Sequence, residues 1–209
     1  MAAERRILLA TRSAGKLREL HDILAEAGLA GMTLDDAGIA PTDEEEHIES
    51  YDTFEDNALA KARYFHRLSG MPTMADDSGL SVHALDGHPG VWSKRFSGRS
   101  DLSGQLLDDA NNAKLLSALA GVPDRAASYS CAAAFVDGAI ECVELGEVHG
   151  VIVDDPRGSE GFGYDPYFFS TELQKTFGEA SVAEKQVVSH RGRAFRKLSA
   201  ALRERGAIL

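Results

Sequence analysis

Hydrophobic and polar positions alternate along this chain with two different periods. Short apolar runs bounded by turn residues predict strands at 5–11, 71–75, 79–85, 127–136 and 139–149. Apolar residues spaced three and four positions apart predict helices at 15–27, 53–68, 103–120 and 193–205. Helices and strands are mixed along the chain, and Asp137-Gly138 is typical of a hairpin turn. The pattern predicts a mixed α/β (α+β) fold around a mixed sheet, in one domain spanning 1–209.

Caps and loop signals divide these elements. Thr53 with Asp56, and Ser181 with Glu184, are typical of capping boxes that begin helices. A glycine-rich loop is predicted from Gly158 to Tyr164. Ser189-His190-Arg191-Gly192 interrupts two helical patterns, so we expect it to form a turn.

Charge and hydropathy limit the classes of partner. A formal net charge of −11 argues against extended binding to nucleic acid, which requires a basic surface. The longest apolar runs, such as Cys131–Val136, are too short to span a bilayer, and the four apolar residues after the N-terminal segment are too few for a signal-peptide core. We therefore expect a cytoplasmic protein with no membrane or nucleic-acid partner, with Cys131 and Cys142 as small core residues. A small polyphosphate is not excluded.

Two adjacent carboxylates give the sequence its strongest chemical signal. A short apolar segment, 71–75, precedes Asp76-Asp77-Ser78-Gly79, which we expect to form a loop at the strand end. Neighbouring side chains of a strand point in opposite directions, so one carboxylate can reach a metal while the other orients the site. A solvated Asp-Asp-Ser-Gly turn is the alternative.

Basic residues near helix starts suggest an anion site. Thr11 to Lys16 joins a predicted strand to a helix, which places backbone amides and a lysine at a helix N-terminus. Lys61 falls within the apolar stripe of the 53–68 helix, where an unpaired ammonium is costly. Lys61 must therefore extend to solvent, pair with a carboxylate, or face a bound anion. A tight turn with a lysine at the helix start is the alternative for 11–16.

An acidic segment and a glycine-aromatic loop complete the candidate chemistry. One of Glu44, Glu45, Glu46 and Glu49 is a candidate to join Asp76 and Asp77 around Mg²⁺, which binds few carboxylates together with waters and phosphate oxygens. The alternative is a solvated acidic loop. Glycines in 161–166 allow a flat ligand close to the backbone, with two aromatic rings available for stacking.

On these motifs the chain resembles the inosine triphosphate pyrophosphatase family over nearly its whole length. The resemblance rests on residues 10–16, 53–58 with 61–62, 75–80, 89–91, 161–166 and 189–192. It implies an elongated mixed central sheet flanked by helices, two lobes with an active-site cleft between them, and a homodimer. It also implies Mg²⁺-dependent hydrolysis of a purine nucleoside triphosphate (ITP, dITP or XTP) to the monophosphate and pyrophosphate.

The resemblance also implies roles for individual residues. Phosphate binding falls to Thr11, Arg12, Ser13, Ala14, Gly15, Lys16 and Lys61. Other nucleotide contacts fall to Ser78, Phe162, Gly163, Tyr164, Asp165, Lys185, His190 and Arg191. Asp77 is implied as the catalytic base, with Glu49, Asp77 and the supporting Asp76 as candidate metal residues. Ser13 stands where the family usually has Asn, and Tyr51 where it usually has Gly.

Two other functions remain open at this point. One is a related pyrophosphatase that acts on modified or pyrimidine triphosphates through the same chemistry. The other is a regulatory protein that binds a nucleotide without turnover. The paired carboxylates argue against the second, because they repel a triphosphate unless a metal intervenes.

Overall fold

A computed structural model describes residues 6–208, with the side chain of Glu46 outside the description. The strands of the described residues are β1 (Arg6–Leu9), β2 (Ala30–Thr33), β3 (Thr73–Val82), β4 (Ala126–Asp137), β5 (Ile140–Ile152), β6 (Phe168–Ser170) and β7 (Lys175–Thr176). Their α-helices are α1 (Ala14–Glu26), α2 (Phe54–Ser69), α3 (Gly104–Ala118), α4 (Val182–Val188) and α5 (His190–Glu204). Short 3₁₀ helices cover Asp43–His47, His83–Leu85 and Gly90–Arg95.

The strands form a mixed sheet in the order β2-β1-β3-β4-β5-β6-β7. β1 pairs in parallel with β2 and β3, whereas β6 pairs antiparallel with β5 and β7. This arrangement confirms the predicted mixed α/β class. By contact density the chain divides into two compact units, one comprising the described residues of 1–77, 131–146 and 191–209, the other 78–130 and 147–190.

The first unit has a core on each face of its strands. Alternate residues of β1 and β4 separate cleanly: Ile7 and Phe135 pack with residues of α1 and α5, whereas Leu8 and Ala134 pack with residues of α2. This is the separation that a period of two predicts for a sheet covered on both sides. The second unit has one core, which joins Leu115 of α3 to Phe168 and Phe177.

Local signals predicted several element ends correctly. The Thr53 hydroxyl accepts a hydrogen bond from the Asp56 amide at the start of α2, and Ser181 and Glu184 form a complete capping box at α4. Cys131 and Cys142 are buried free thiols, as predicted. Among the described helices, none is both long enough and apolar enough to cross a membrane.

Three local predictions were wrong. The segment 79–85 is not a separate strand, because β3 continues to Val82 and a 3₁₀ helix covers His83–Leu85. The acidic pair does not lie on a loop, because β3 runs without a break from Thr73 to Val82 and includes Asp76 and Asp77. The segment 189–192 is not a turn either, since α5 begins at His190 and only Ser189 separates it from α4. Polar residues are typical of loops, but the side chains of Asp76, Asp77 and Arg191 have buried hydrogen-bond partners, so these residues lie in regular structure instead.

Candidate active site

The alternation of β3 places its two carboxylates on opposite faces. Met74 packs in the core of α1 and α5, and Ala75 packs in the core of α2. Residues two positions apart in a strand share a face, so Asp76 lies on the face of Met74 and Asp77 on the face of Ala75. Asp76 therefore faces α1 and α5, and Asp77 faces α2.

Asp76 is the centre of a buried ionic cluster in the first unit. Its Oδ2 lies 3.0 Å from Lys16 Nζ of α1 and 3.1 Å from Arg191 Nε of α5. Arg191 also donates to Glu19 of α1 through Nη1. Burial of Asp76 disfavours its ionised form, but the charges of Lys16 and Arg191 outweigh burial, so the pKa of Asp76 lies well below its usual range.

Asp77 has a different environment on the α2 face. Its Oδ2 accepts a hydrogen bond of 2.9 Å from Asn57 Nδ2. Burial and the negative charge of Glu49 raise the pKa of Asp77, although Lys16 and Lys61 act in the opposite direction. A carboxylate with a raised pKa is a stronger base, so this environment suits a group that accepts a proton.

Asn57 was not among the predicted site residues, although the sequence placed it one turn before Lys61. Besides contacting Asp77, its side chain accepts from the Tyr51 amide at 2.9 Å and donates to the Tyr51 carbonyl at 3.1 Å. Asn57 is fully buried. It therefore joins the segment before α2 to the carboxylate of Asp77. The backbone φ of Tyr51 is not positive, so this position does not require the left-handed conformation that favours glycine.

Lys61 pairs with a carboxylate, one of the three alternatives open for it. Its ammonium donates to Glu49, and its side chain is mostly buried. Burial lowers the pKa of Lys61, but the charges of Glu49, Asp76 and Asp77 raise it by more than burial lowers it. The pKa of Lys61 is therefore raised overall. Likewise, burial opposes ionisation of Glu49, but Lys61 and Lys16 lower its pKa overall. Both groups are thus charged at neutral pH.

The acidic segment has different partners for its other glutamates. Glu45 binds Arg12 through two hydrogen bonds of 2.7 Å, and Glu44 accepts from the Tyr64 hydroxyl at 3.2 Å. Arg12 also donates to the Ile39 carbonyl at 3.0 Å. Among the described glutamate side chains of this segment, Glu49 is the one whose charge acts on Asp77.

The predicted phosphate segment forms the start of α1. Ser13 is the N-cap, and its hydroxyl accepts from the Lys16 amide at 3.4 Å. The Thr11 hydroxyl accepts from the Ser13 amide at 3.2 Å. Ala14 and Gly15 form the first turn of the helix, so their amide groups lie at its positive end.

In the second unit, Asp165 organises the glycine-aromatic loop. Its Oδ2 accepts from the Phe162 amide at 2.8 Å and from Lys185 Nζ at 2.7 Å. Gly161 has φ +79°, and a Cβ there would lie 2.0 Å from this carboxylate oxygen, so no larger residue fits. Tyr164 is buried, and its hydroxyl donates to the Ser93 carbonyl.

The remaining predicted residues of this unit are also held in place. Lys185 Nζ lies 5.2 Å from the ring centroid of Phe162. The imidazole of His190 stacks on Tyr129 with 4.7 Å between ring centroids and an interplanar angle of 8°. Ser78 is half-buried on β3. Tyr129 could not be predicted from the sequence as a partner of His190, because the two are far apart along the chain.

The donor set of the first unit fits a divalent metal of the magnesium type. Within the described part of the chain, three or more His, Cys, Asp or Glu side chains do not gather as a ready-made metal cage. Glu49 and Asp77 are nonetheless close enough for the charge of one to raise the pKa of the other. Two carboxylates completed by waters and phosphate oxygens are a ligand set that Mg²⁺ accepts, because it keeps several waters when bound.

Comparisons with known proteins identify relatives of this chain. The model of the Ham1 family matches residues 7–201. A dITP/XTP pyrophosphatase of Frankia alni is 48% identical over 202 residues, which cover 95% of this chain and 98% of the relative. One of Geobacter sulfurreducens is 47% identical over 192 residues, covering 90% and 92%.

Solved structures give the same relationship. A HAM1 protein from Coxiella burnetii superposes with a TM-score of 0.80 at 34% identity, covering 96% of this chain and 99% of that one. The nucleoside-triphosphatase / dITP/XTP pyrophosphatase of Mycobacterium abscessus gives 0.70 at 41% identity, covering 92% and 98%. By sequence and by fold, the chain belongs to the Ham1 family.

Proposed function

We propose that this protein hydrolyses non-standard purine nucleoside triphosphates (ITP, dITP and XTP) to the nucleoside monophosphate and pyrophosphate. The observation that carries the proposal is the position of Asp77: a buried carboxylate of β3 that accepts a hydrogen bond from Asn57 and lies within electrostatic reach of Glu49, Lys16 and Lys61. The family match and the names of the relatives support the substrate class.

The proposed reaction transfers the nucleotidyl group of the triphosphate to water. The water oxygen forms a bond to the α-phosphorus, Asp77 accepts a proton from that water, and the bond between the α-phosphorus and the oxygen bridging it to the β-phosphorus breaks. The electron pair of that bond leaves with pyrophosphate. Mg²⁺, held by Glu49 and Asp77, would neutralise phosphate charge and lower the pKa of water. Asp76 is assigned to the support of Lys16 and Arg191, because its carboxylate already binds both.

Cations of the chain stabilise the charge that develops on the leaving group. We assign this role to Lys16 and Lys61, together with the amides at the start of α1. Lys61 binds Glu49 in this structure, so a triphosphate competes with Glu49 for the ammonium. The charge on Lys61 is secure, since its pKa is raised.

Selection of the base is assigned to the second unit. Hypoxanthine and xanthine carry a carbonyl at position six, whereas adenine carries an amino group there. A donor such as His190 binds the carbonyl and leaves an unpaired contact with ATP, which can discriminate by about 10⁴-fold. His190 and Arg191 are both candidate donors for this contact, and two donors of Arg191 also bind Asp76 and Glu19.

A substrate panel tests the proposal. Purified protein with Mg²⁺ is assayed against ITP, dITP, XTP, GTP, ATP and dUTP, with separate detection of pyrophosphate and orthophosphate. We expect pyrophosphate from the first three and little product from the others. Preference for dUTP would favour the related pyrophosphatase, and tight binding without turnover would favour the regulator. Release of orthophosphate as first product would contradict the cleavage site. The homodimer expected from the resemblance remains a prediction, testable by the mass in solution.

A further inference from the structure

Two side chains of α3 grip a single residue of the glycine-aromatic loop. Asp108 Oδ2 accepts a hydrogen bond of 2.9 Å from the Gly163 amide. Asn112 Nδ2 donates one of 3.0 Å to the Gly163 carbonyl. The two residues are four positions apart, so they lie on one face of the helix, one turn from each other. They form a clamp that holds both polar groups of Gly163.

The clamp is costly to bury, which indicates that its contacts matter. Asn112 is 5% exposed, and its Oδ1 is buried without a hydrogen-bond partner among the described residues. Burial raises the pKa of Asp108, although the bond from Gly163 acts in the opposite direction. Polar groups in such surroundings destabilise a fold unless their hydrogen bonds offset the loss of water. The hydrogen bonds that offset this cost are made by both side chains to one residue, Gly163.

Gly163 lies at the centre of the loop that we assign to the base. It has φ +64° and separates Phe162, whose ring faces Lys185, from the buried Tyr164. Asp165 accepts a hydrogen bond from the amide of Phe162. The direction of Phe162 therefore depends on Asp165 and on the clamp together, and losing either leaves this short loop free to change conformation.

We propose that Asp108 and Asn112 are positioning residues that set the loop 162–165 in the shape that receives the purine base. The proposal rests on the proposed function, and it adds two residues of α3 to the determinants of substrate affinity. Neither residue needs to touch the nucleotide. Their effect passes through Gly163 to Phe162.

The same helix provides a matched control. Asn111 is also buried, and its side chain also makes two hydrogen bonds, to the Ser97 amide at 2.7 Å and to the Lys94 carbonyl at 3.1 Å. N112A and N111A thus remove the same group from neighbouring positions, but only N112A releases the loop. D109A is the corresponding exposed control for D108A, and D108N retains an acceptor for the Gly163 amide.

Hydrogen exchange in the ligand-free protein tests the clamp itself. We expect amides of 162–165 to exchange about tenfold faster in D108A and N112A than in N111A or D109A, because a lost hydrogen bond to a charged or buried group has an effect of this size. D108N should restore most of the protection. Unchanged exchange in both D108A and N112A would overturn the proposal. If N112A does not fold, D108A and D108N still decide it.

Kinetics test the link to the base. We expect D108A and N112A to raise KM for ITP about tenfold with kcat changed by less than threefold. The inhibition constant of inorganic tripolyphosphate with Mg²⁺ should stay constant, since that probe has no base. Equal losses for ITP and tripolyphosphate, or no change in KM, would contradict the proposal. A wild-type protein inactive on every purine triphosphate would refute the proposed function and the purine assignment, while the exchange result would still decide whether the clamp orders the loop.

Discussion

The two faces of β3 use adjacent carboxylates in opposite ways. On the face towards α1 and α5, Asp76 is fully buried and contacts two cations, Lys16 and Arg191. On the face towards α2, Asp77 contacts the neutral amide of Asn57 and is influenced by the anion of Glu49. The pKa of Asp76 is lowered and that of Asp77 is raised.

This difference shows how one strand can separate support from chemistry. Lys16 and Arg191 hold Asp76 in its charged form, and a carboxylate so satisfied is a poor base. The folded protein disfavours the ionised form of Asp77. Because that carboxylate is less stable, it accepts a proton more readily. Substitution of Asp77 should therefore mainly reduce turnover, whereas substitution of Asp76 should mainly reduce stability.

The largest expected effect is the loss of turnover in Asp77→Asn. The amide has the same size and retains an oxygen that can accept from Asn57, but it cannot take a proton from water. We expect kcat for ITP to fall by about 10³-fold or more, within the range for loss of a general base. Pyrophosphate release under saturating substrate measures it. Turnover close to wild type would remove Asp77 from the role of base.

The next effect is the loss of stability in Asp76→Asn. Without the carboxylate, Lys16 and Arg191 keep buried charges, and Glu19 still pairs with Arg191. Breaking a buried ion pair in this way costs about 3 kcal/mol or more of unfolding free energy. Urea unfolding followed by circular dichroism measures it, with Asp77→Asn as the matched neighbour. Equal stabilities of the two variants would abolish the distinction between the faces.

The sequence predicted the residue types of this site better than their surroundings. The helix stripe placed Lys61 inside, and it is buried; the alternation of a strand placed Asp76 and Asp77 on different sides, and the cores confirm it. The partners could not be predicted, because Arg191 is 115 positions from Asp76 and only the folded chain brings them together. The clamp on Gly163 was missed for the same reason, since Asp108 and Asn112 look like ordinary polar residues of a surface helix.

A smaller effect sharpens the α2 face. Asn57→Ala removes the hydrogen bond that lowers the pKa of Asp77, so that pKa should rise further. We expect the acid limb of the pH profile of kcat/KM to move to higher pH, with a loss of about tenfold at low pH. Thr53→Ala is the control, because it removes the cap of the same helix without contact to Asp77. A profile that loses amplitude without moving would mean that Asn57 acts only on the fold.

The smallest effect is the opposite pH dependence of stability in the two Asn variants. The lowered pKa of Asp76 contributes stability that is present above the carboxyl range of the unfolded chain, about pH 4, and is lost as the pH falls towards the folded pKa. The raised pKa of Asp77 has the reverse sign: its contribution is present below about pH 4 and is lost as the pH rises through the folded pKa.

Urea unfolding between about pH 3 and 7.5 should therefore give two diverging differences from wild type. The loss of unfolding free energy in Asp76→Asn is expected to be largest at neutral pH and to shrink on acidification. The reason is that the ionised carboxylate of Asp76 stabilises the folded wild type, and this contribution decreases once the unfolded chain becomes protonated. Asp77→Asn should equal wild type at the acid end and exceed it at neutral pH, since the amide avoids burying an anion beside Glu49. Parallel curves for the two variants would mean that the two faces of β3 are electrostatically alike.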